Sequence, residues 1–214
     1  GYPRFNCPDA IATSLKTAGF DLCLTSNNHC FDKGLKGLNR TIQVLADNGL
    51  ENIGTMPTAD APKYLVKEIN GIRIGMVCYT FETGDAYPDR PSINGLLTSV
   101  DSIGQINSFD YNQLDKFYGE MEQHIAGMKE EGADAVILYI HWGNEYQFSP
   151  TNAQKTIAQK MCDLGVDIIV GGHPHVIQPM ELLTATTDPD QKTICLYSTG
   201  NAVSNQRRSL MNLK

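Results

Sequence analysis

Five histidines occur in the 214 residues, and four of them, His29, His141, His173 and His175, come just after apolar runs that read as β-strands. In layered α/β folds ligands gather at the carboxyl ends of strands. Three such strand ends would therefore bring four imidazoles to one edge of a sheet. Neutral imidazole is a ligand for zinc, iron and similar ions. A lone histidine beside a strand is more often an ordinary hydrogen-bonded residue, so the inference rests on the joint placement. Gly171 and Gly172 precede His173 and allow a sharp turn with close backbone approach, and Pro174 stiffens the His173–His175 pair. His124 lies in a polar helical stretch and reads as a solvated residue.

The elements that must hold these side chains alternate between helix and strand. Cys7-Pro8-Asp9 opens a helix with Ile11, Leu15 and Ala18 on one face and Gly19 at its stop. Phe20–Thr25 reads as a short buried strand leading into Ser26-Asn27-Asn28-His29. A second helix runs from about Leu35 to Asn48, with Leu38, Ile42 and Leu45 at helical spacing, and Asn52–Gly54 reads as a short strand. Tyr64–Asn70 and Ile72–Thr80 flank an Asn-Gly pair, a strong hairpin signal. Regular patterning is absent from Phe81 to Phe109, a long Gly-, Pro- and Asp-rich loop with the length of a lid. Asp110 reads as the N-cap of a long helix ending near Gly132. Ala135–Ile140, Val166–Val170, Val176–Leu183 and Thr193–Tyr197 read as strands, and Pro150–Leu164 as a helix. With no repeat and no linker, the chain reads as one domain, 1–214, of a layered α/β fold rather than a pure parallel sheet.

Composition narrows the function. The net charge is −7, from 24 acidic and 17 basic residues, with only Arg207-Arg208 and Lys214 as a local basic cluster, so a nucleic-acid partner is not expected. No apolar run approaches the roughly 20 residues of a membrane span. The six cysteines contain no C-x-x-C pair, and Cys23, Cys78 and Cys195 sit inside apolar runs as buried free thiols would.

Four ordered motifs resemble one family. Ser26-Asn27-Asn28-His29, continuing to Asp32-x-Gly34, is similar to the A-N-N-H-x-x-D-x-G segment of bacterial capsule-synthesis (poly-gamma-glutamate, CapA-type) proteins. His141-Trp142-Gly143-x-Glu145-Tyr146, continued by Gln154 and Ala158, resembles their H-W-G-x-E-Y segment. Asp167 through Gly171-Gly172-His173-Pro174-His175-Val176-x-Gln178-Pro179 and Tyr197-Ser198-Thr199-Gly200-Asn201 resemble the two that follow. The resemblance spans about Cys7 to Asn201, and four motifs in order are more specific than one short match.

That resemblance implies a calcineurin-like metallophosphoesterase fold, an α-β-β-α sandwich with a centre of one or two divalent ions, zinc, manganese or iron. Carried over by position, Asn28, His141 and His173 ligate one metal and His175 the other, while His29 is the catalytic proton donor. Asn28 offers a neutral amide oxygen, and paired cations can clamp attacking and leaving oxygens. Trp142, Glu145 and Tyr146 either face a substrate or pack a loop. Asp32 and Gly34 shape the turn after His29, and Gln178 and Asn201 are candidates to orient ligands.

The family's upstream carboxylate and histidine ligands have no counterpart among the 27 residues before Asn28, where Asp9 and Asp21 read as helix-start and strand-start residues. The chain is therefore expected to be a fragment, truncated at its N-terminus, of a longer protein. Its expected role is hydrolysis or transfer at a phosphate or gamma-glutamyl linkage in capsule or poly-gamma-glutamate biosynthesis. Expected partners are a capsular polymer or phosphorylated small molecule and other capsule-synthesis proteins, at the cell envelope or the extracellular face. The rivals are a general metal-dependent phosphoesterase and a non-catalytic binding or scaffold module of the same fold.

Overall fold

A computed structural model describes residues 4–84 and 90–204; the Arg207-Arg208 pair and Lys214 lie outside them. In chain order the elements are α1 (Ala10–Thr17), β1 (Leu22–Leu24), α2 (Gly34–Asp47), β2 (Glu51–Ile53), β3 (Tyr64–Ile69) and β4 (Ile72–Phe81). They continue as β5 (Ser92–Ile93), β6 (Leu96–Leu97), α3 (Val100–Ile103), β7 (Ser108–Phe109), α4 (Leu114–Glu130) and β8 (Ala135–His141). The last are α5 (Asn152–Asp163), β9 (Ile168–Gly172), β10 (Met180–Thr184) and β11 (Lys192–Leu196).

The main sheet runs β10-β11-β9-β8-β4-β3, with β7 added alongside the end of β4. Its centre, β4, β8, β9 and β11, is parallel, and the outer β3 and β10 are antiparallel to it. The crossovers from β4 to β8 and from β8 to β9 are made by α4 and α5, as a parallel pair requires. Both helices bury one stripe on one face of the sheet: Phe117, Met121, Ile125 and Met128 from α4, and Ile157, Ala158 and Met161 from α5. Val136, Leu138 and Ile140 of β8 meet them there, each 1% exposed or less. Each of these side chains larger than Ala158 contributes about 1.5–3 kcal/mol by leaving water. Thr151 and Gln154 close a capping box at the start of α5, which satisfies two amides that the helix leaves open.

The opposite face carries the second layer. Strand β1 pairs in parallel with β2, and Ala12 of α1, Leu45 of α2 and Leu50, just before β2, form a small core against it. The layer rests on β4, where the Cys78 thiol donates to the Ser26 carbonyl over 3.6 Å. Helix, sheet, sheet and helix thus follow in order, the layered sandwich expected from the sequence. All six cysteines are free thiols. Among the described residues no helix is long and apolar enough to cross a membrane.

Several local expectations change. In α1 Ile11 is 51% exposed, and the buried residue is Ala12, whose small side chain lets the helix approach closely. Strand β1 is shorter than Phe20–Thr25 and lies at the margin of its sheet, with Phe20 and Leu24 largely exposed. Gln113 rather than Asp110 occupies the cap of α4; the Asp110 carboxylate instead accepts from the Asn112 amide, making a turn before the helix. Strand β10 starts at Met180, because residues 176–179 bend around the site described below. His124 is half-buried, with its Nε2 3.1 Å from the Tyr79 hydroxyl, and burial, helped by Lys63, lowers its pKa. The described part of the Phe81–Phe109 segment is not a free loop. Its two-residue strands are too short to show periodicity, yet Ile93 and Ile106 pack against Phe31 and Leu38 as a third small core.

Gly171 marks the tightest approach at the sheet's end. A Cβ there would run into the Tyr197 carbonyl and lie 2.6 Å from the Trp142 indole nitrogen. Gly171→Ala should therefore lower the unfolding free energy by about 1–3 kcal/mol. A Cβ at Gly119, within α4, meets no atom within 4 Å. Gly119→Ala should stabilise by about 0.5–1 kcal/mol. Urea unfolding of both variants checks the pair, and equal effects would contradict it.

Candidate metal centre

The parallel register places the site. Thr80 of β4 pairs with His141 of β8, which pairs with Gly172 of β9, so the strands end side by side. Side chains alternate along a strand. Because Val136, Leu138 and Ile140 face the α4–α5 core, His141 projects from the other face, toward the turn that follows β1. Beyond Gly172 the chain bends abruptly. His173 (φ 95°) and His175 (φ 60°) take left-handed backbone conformations, as does Tyr146 (φ 61°) in the facing loop. Such conformations are costly for these residue types and persist only when neighbours hold them. The Tyr146 amide donates to the Pro174 carbonyl over 2.8 Å, and the Trp142 amide to the Gly172 carbonyl over 3.1 Å.

Four predicted residues converge here. The His141 and His173 ring centroids lie 4.9 Å apart, and those of His173 and His175 6.1 Å apart. Asn28 brings its Oδ1 to 3.0 Å from His141 Nε2. The turn bearing it is set by the His29 amide, which donates to Asn27 Oδ1 over 2.8 Å, and by the buried Ser26 hydroxyl, which donates to the Asn107 carbonyl over 2.7 Å. His175 Nδ1 meets Asn201 Oδ1 at 3.0 Å, and the Glu145 carboxylate stands 3.8 Å from His175 Nε2. The Tyr146 ring stacks on His175 at 5.7 Å.

His29 sits beside Asn28 with a separate set of partners. Its Nδ1 is 2.8 Å from Asp32 Oδ2. The carboxylate can only accept, so Nδ1 carries the hydrogen and Nε2 remains for other use. Asp32, its side chain 2% exposed, also accepts from the Phe5 amide over 2.7 Å and the Asn94 amide group over 3.3 Å. The Phe5 ring meets His29 edge-on at 4.5 Å.

Burial governs the electrostatics. Desolvation, and then the neighbouring imidazoles, hold His141 well below the ordinary histidine range and bring His173 down to about 4. Both rings are therefore neutral at pH 7. Among the described residues their Nδ1 atoms are buried without a hydrogen-bond partner.

These observations test the donor set. Neutral imidazoles and a neutral amide oxygen suit a divalent transition ion. Two donors about 2.1 Å from one ion stand about 3.0–3.4 Å apart, and the 3.0 Å between Asn28 and His141 falls in that range. The set is open rather than closed. Among the described residues no group of three or more His, Cys, Asp or Glu side chains is arranged to hold an ion, and Asp32 is engaged by His29. Around Asn28, His141 and His173 the residues present fit one ion with few protein donors, and His175 adds a single donor for any second.

Two expectations are corrected. Trp142 cannot face a substrate: it is fully buried, its indole N–H donates to the Tyr197 carbonyl over 2.9 Å, and it stacks on that ring. Gln178 does not orient a ligand. Its amide donates to the Gln147 and Ser149 carbonyls and its oxygen accepts from Gln154, tying two loops together. The sequence reading missed the hold of Asp32 on His29, although the i, i+3 spacing within a turn was its signal. It also missed Asn94, carried by the Asn94-Gly95 turn between β5 and β6, and Phe81, whose ring lies 4.9 Å from that of His173.

Comparison with known proteins gives consistent matches. The family model described as bacterial capsule synthesis protein PGA_cap matches residues 1–206. The PGA biosynthesis protein CapA of Bacillus subtilis (strain 168) is 30% identical over 194 residues, covering 90% of this chain and 44% of that protein. The capsule biosynthesis protein CapA of Bacillus anthracis is 30% identical over 204 residues, covering 95% of this chain and 44% of that protein. The chain therefore spans less than half the length of these relatives. Among solved structures, the sulfate thiohydrolase SoxB of Thermus thermophilus aligns with a TM-score of 0.53 at 17% identity, over 91% of this chain and 30% of that one. This likeness shows the fold, the layered sandwich of the metallophosphoesterase type.

The depressed histidines set a pH dependence. His173 titrates near 4 when folded and near about 6.5 when unfolded. Between these values the unfolded chain binds more protons, so stability rises with pH there. Its contribution is complete above about 6.5 and is lost as pH falls toward 4. In a chelator, to exclude metal, the melting temperature should drop over that window. His173→Gln should flatten the drop relative to the parent; parallel profiles would refute the assignment.

Proposed function

Since the chain belongs to the bacterial capsule synthesis protein PGA_cap family, we propose that it carries a metal-dependent hydrolase site acting in capsule or poly-gamma-glutamate biosynthesis. The observation that carries the reading is the convergence of the neutral, buried His141 and His173 rings, their centroids 4.9 Å apart, with the Asn28 oxygen 3.0 Å from His141 Nε2. In this reading Asn28, His141 and His173 hold one divalent ion, zinc, manganese or iron, and His175 serves a second. A bound ion would polarise the scissile group and lower the pKa of a coordinated water to about 7.

The chain's own residues supply the rest. Burial keeps His141 and His173 neutral, so their lone pairs are free at physiological pH. The Asn201 amide oxygen accepts from His175 Nδ1 and leaves Nε2 as the ligating atom. His29 is the general acid. Asp32 fixes its tautomer, steadies the charged ring and presents Nε2 for delivering a proton to the leaving oxygen. Glu145 and Tyr146, which stand beside His175, would be the side chains to touch substrate. The substrate is a phosphate ester or a gamma-glutamyl linkage, presented by a capsular polymer or a phosphorylated small molecule, at the cell envelope and in company with other capsule-synthesis proteins.

One observation favours a second reading, a binding module of the same fold without turnover: the described residues offer no closed set of ligating side chains. Metal content and turnover separate the two. Elemental analysis should find near-stoichiometric divalent metal in the parent and none in His173→Ala/His175→Ala. Hydrolysis of a panel of phosphoesters and gamma-glutamyl peptides should fall about 10²–10⁴-fold in His29→Ala with metal retained. Bound metal without turnover in the parent selects the binding module. Vigorous turnover of simple phosphoesters alone points to a general phosphoesterase.

A further inference from the structure

The four imidazoles of the cluster differ in what holds the second ring nitrogen. His29 Nδ1 is 2.8 Å from the Asp32 carboxylate, and His175 Nδ1 is 3.0 Å from the Asn201 amide oxygen. His141 Nδ1 is buried and has no hydrogen-bond partner among the described residues. A histidine that ligates through Nε2 carries its hydrogen on Nδ1. That hydrogen is almost always given to an acceptor, which fixes the tautomer and the ring.

The backbone beside His141 shows which side chain can take this part. Strand alternation puts Tyr139 on the same face of β8 as His141. Tyr139 reaches past its own partner on β9, Val170, to Gly172, the partner of His141. A Cβ on Gly172 would collide with the Tyr139 hydroxyl and would stand 3.5 Å from His141 Nδ1. The missing side chain thus opens one small space that the hydroxyl and the imidazole nitrogen share. Neighbouring polar groups are spent or lie elsewhere. The Trp142 indole N–H donates to the Tyr197 carbonyl over 2.9 Å. Thr80, whose buried hydroxyl also lacks a partner among the described residues, stands on β4, across β8 from Gly172.

A hydroxyl suits this place by its chemistry. His141 Nε2 lies 3.0 Å from Asn28 Oδ1. A hydrogen on Nε2 donates to that oxygen and leaves Nδ1 as an acceptor. When Nε2 ligates, the hydrogen sits on Nδ1, which becomes a donor. A tyrosine hydroxyl can donate in the first case and accept in the second; a carbonyl serves only the second. The hydroxyl and Nδ1 are not in hydrogen-bonding geometry as they stand, so rotation of one of the two rings completes the contact.

We propose that Tyr139 is the positioning residue of His141, its hydroxyl donating to Nδ1 when Nε2 bears the hydrogen and accepting from Nδ1 when Nε2 ligates an ion. The ligating half rests on the metal centre of the hydrolase reading; the first half does not.

Nitrogen-15 spectra of the whole chain, labelled in its histidine rings, test the proposal at neutral pH, first in chelator and then with zinc. The variants are Tyr139→Phe, which removes the hydroxyl and keeps the ring, and Thr80→Val as the control. Circular dichroism verifies that both fold. In chelator the parent should show His141 with its hydrogen on Nε2. Tyr139→Phe should shift the His141 Nδ1 resonance, and Thr80→Val should leave it in place. With zinc the hydrogen should appear on Nδ1 in the parent. Zinc affinity, read by competition with a chromophoric chelator, should fall about 10–100-fold in Tyr139→Phe. A Nδ1 resonance that Tyr139→Phe leaves unmoved in chelator overturns the proposal whether or not zinc binds, as does a shift caused by Thr80→Val alone. Equal zinc affinity in parent and Tyr139→Phe overturns the ligating half. No zinc binding by the parent, with the shift in chelator present, sinks the hydrolase reading and the ligating half with it, and leaves the Tyr139–His141 contact standing.

Discussion

A strand that buries Val136, Leu138 and Ile140 against two helices must turn the next residue, His141, to the opposite face. That alternation is the constraint on which the site depends. The core fixes the height of β8, the parallel register fixes β4 and β9 beside it, and the imidazole emerges at the carboxyl ends of these strands, beside the loops that follow them. Pairing of His141 with Gly172 then determines where the chain leaves β9, hence where His173 and His175 begin. A one-residue slip in this register would carry His141 into the helical core and disperse the cluster.

The arrangement is costly in isolation. Buried imidazole nitrogens without partners lose hydration, and three left-handed non-glycine residues, His173, His175 and Tyr146, store backbone strain in two facing loops. In the same region Gly171 admits no side chain against Tyr197 and Trp142. A packed scaffold thus holds side chains in conformations they would not choose alone. Local instability of this kind, supported by surrounding packing, is characteristic of positions selected for chemistry rather than for folding.

The gathering of His141, His173 and His175 at one sheet edge was legible because it follows from periodicity, whereas the sandwich order and the place of Asn28 were implied by the motif resemblance. Apolar runs locate strands, and polar residues at their carboxyl ends converge in a parallel sheet. What escaped depends on contacts distant in sequence. Trp142 belongs to a motif with histidine and glutamate, and only the packing beside Tyr197 shows that it is buried. His124 lies in a polar helix, and only the Tyr79 hydroxyl reveals that it is half-buried. The Phe81–Phe109 segment has turn-rich composition, yet Ile93 and Ile106 are core residues because α2 presents Phe31 and Leu38 to them. Asp32 was read as a turn residue although its carboxylate collects three donors from separated parts of the chain.

The amide chain through Gln154 and Gln178 has a mechanical consequence. Gln154 caps α5 with one end of its amide and donates to Gln178 with the other, and Gln178 in turn grips the Gln147 and Ser149 carbonyls. The loop bearing Glu145 and Tyr146 and the loop following His175 are therefore clasped to each other and to a helix end. They form one lever with a common fulcrum rather than two independent flaps. Any displacement of one is transmitted to the other, so the two sides of the histidine cluster open or hold together.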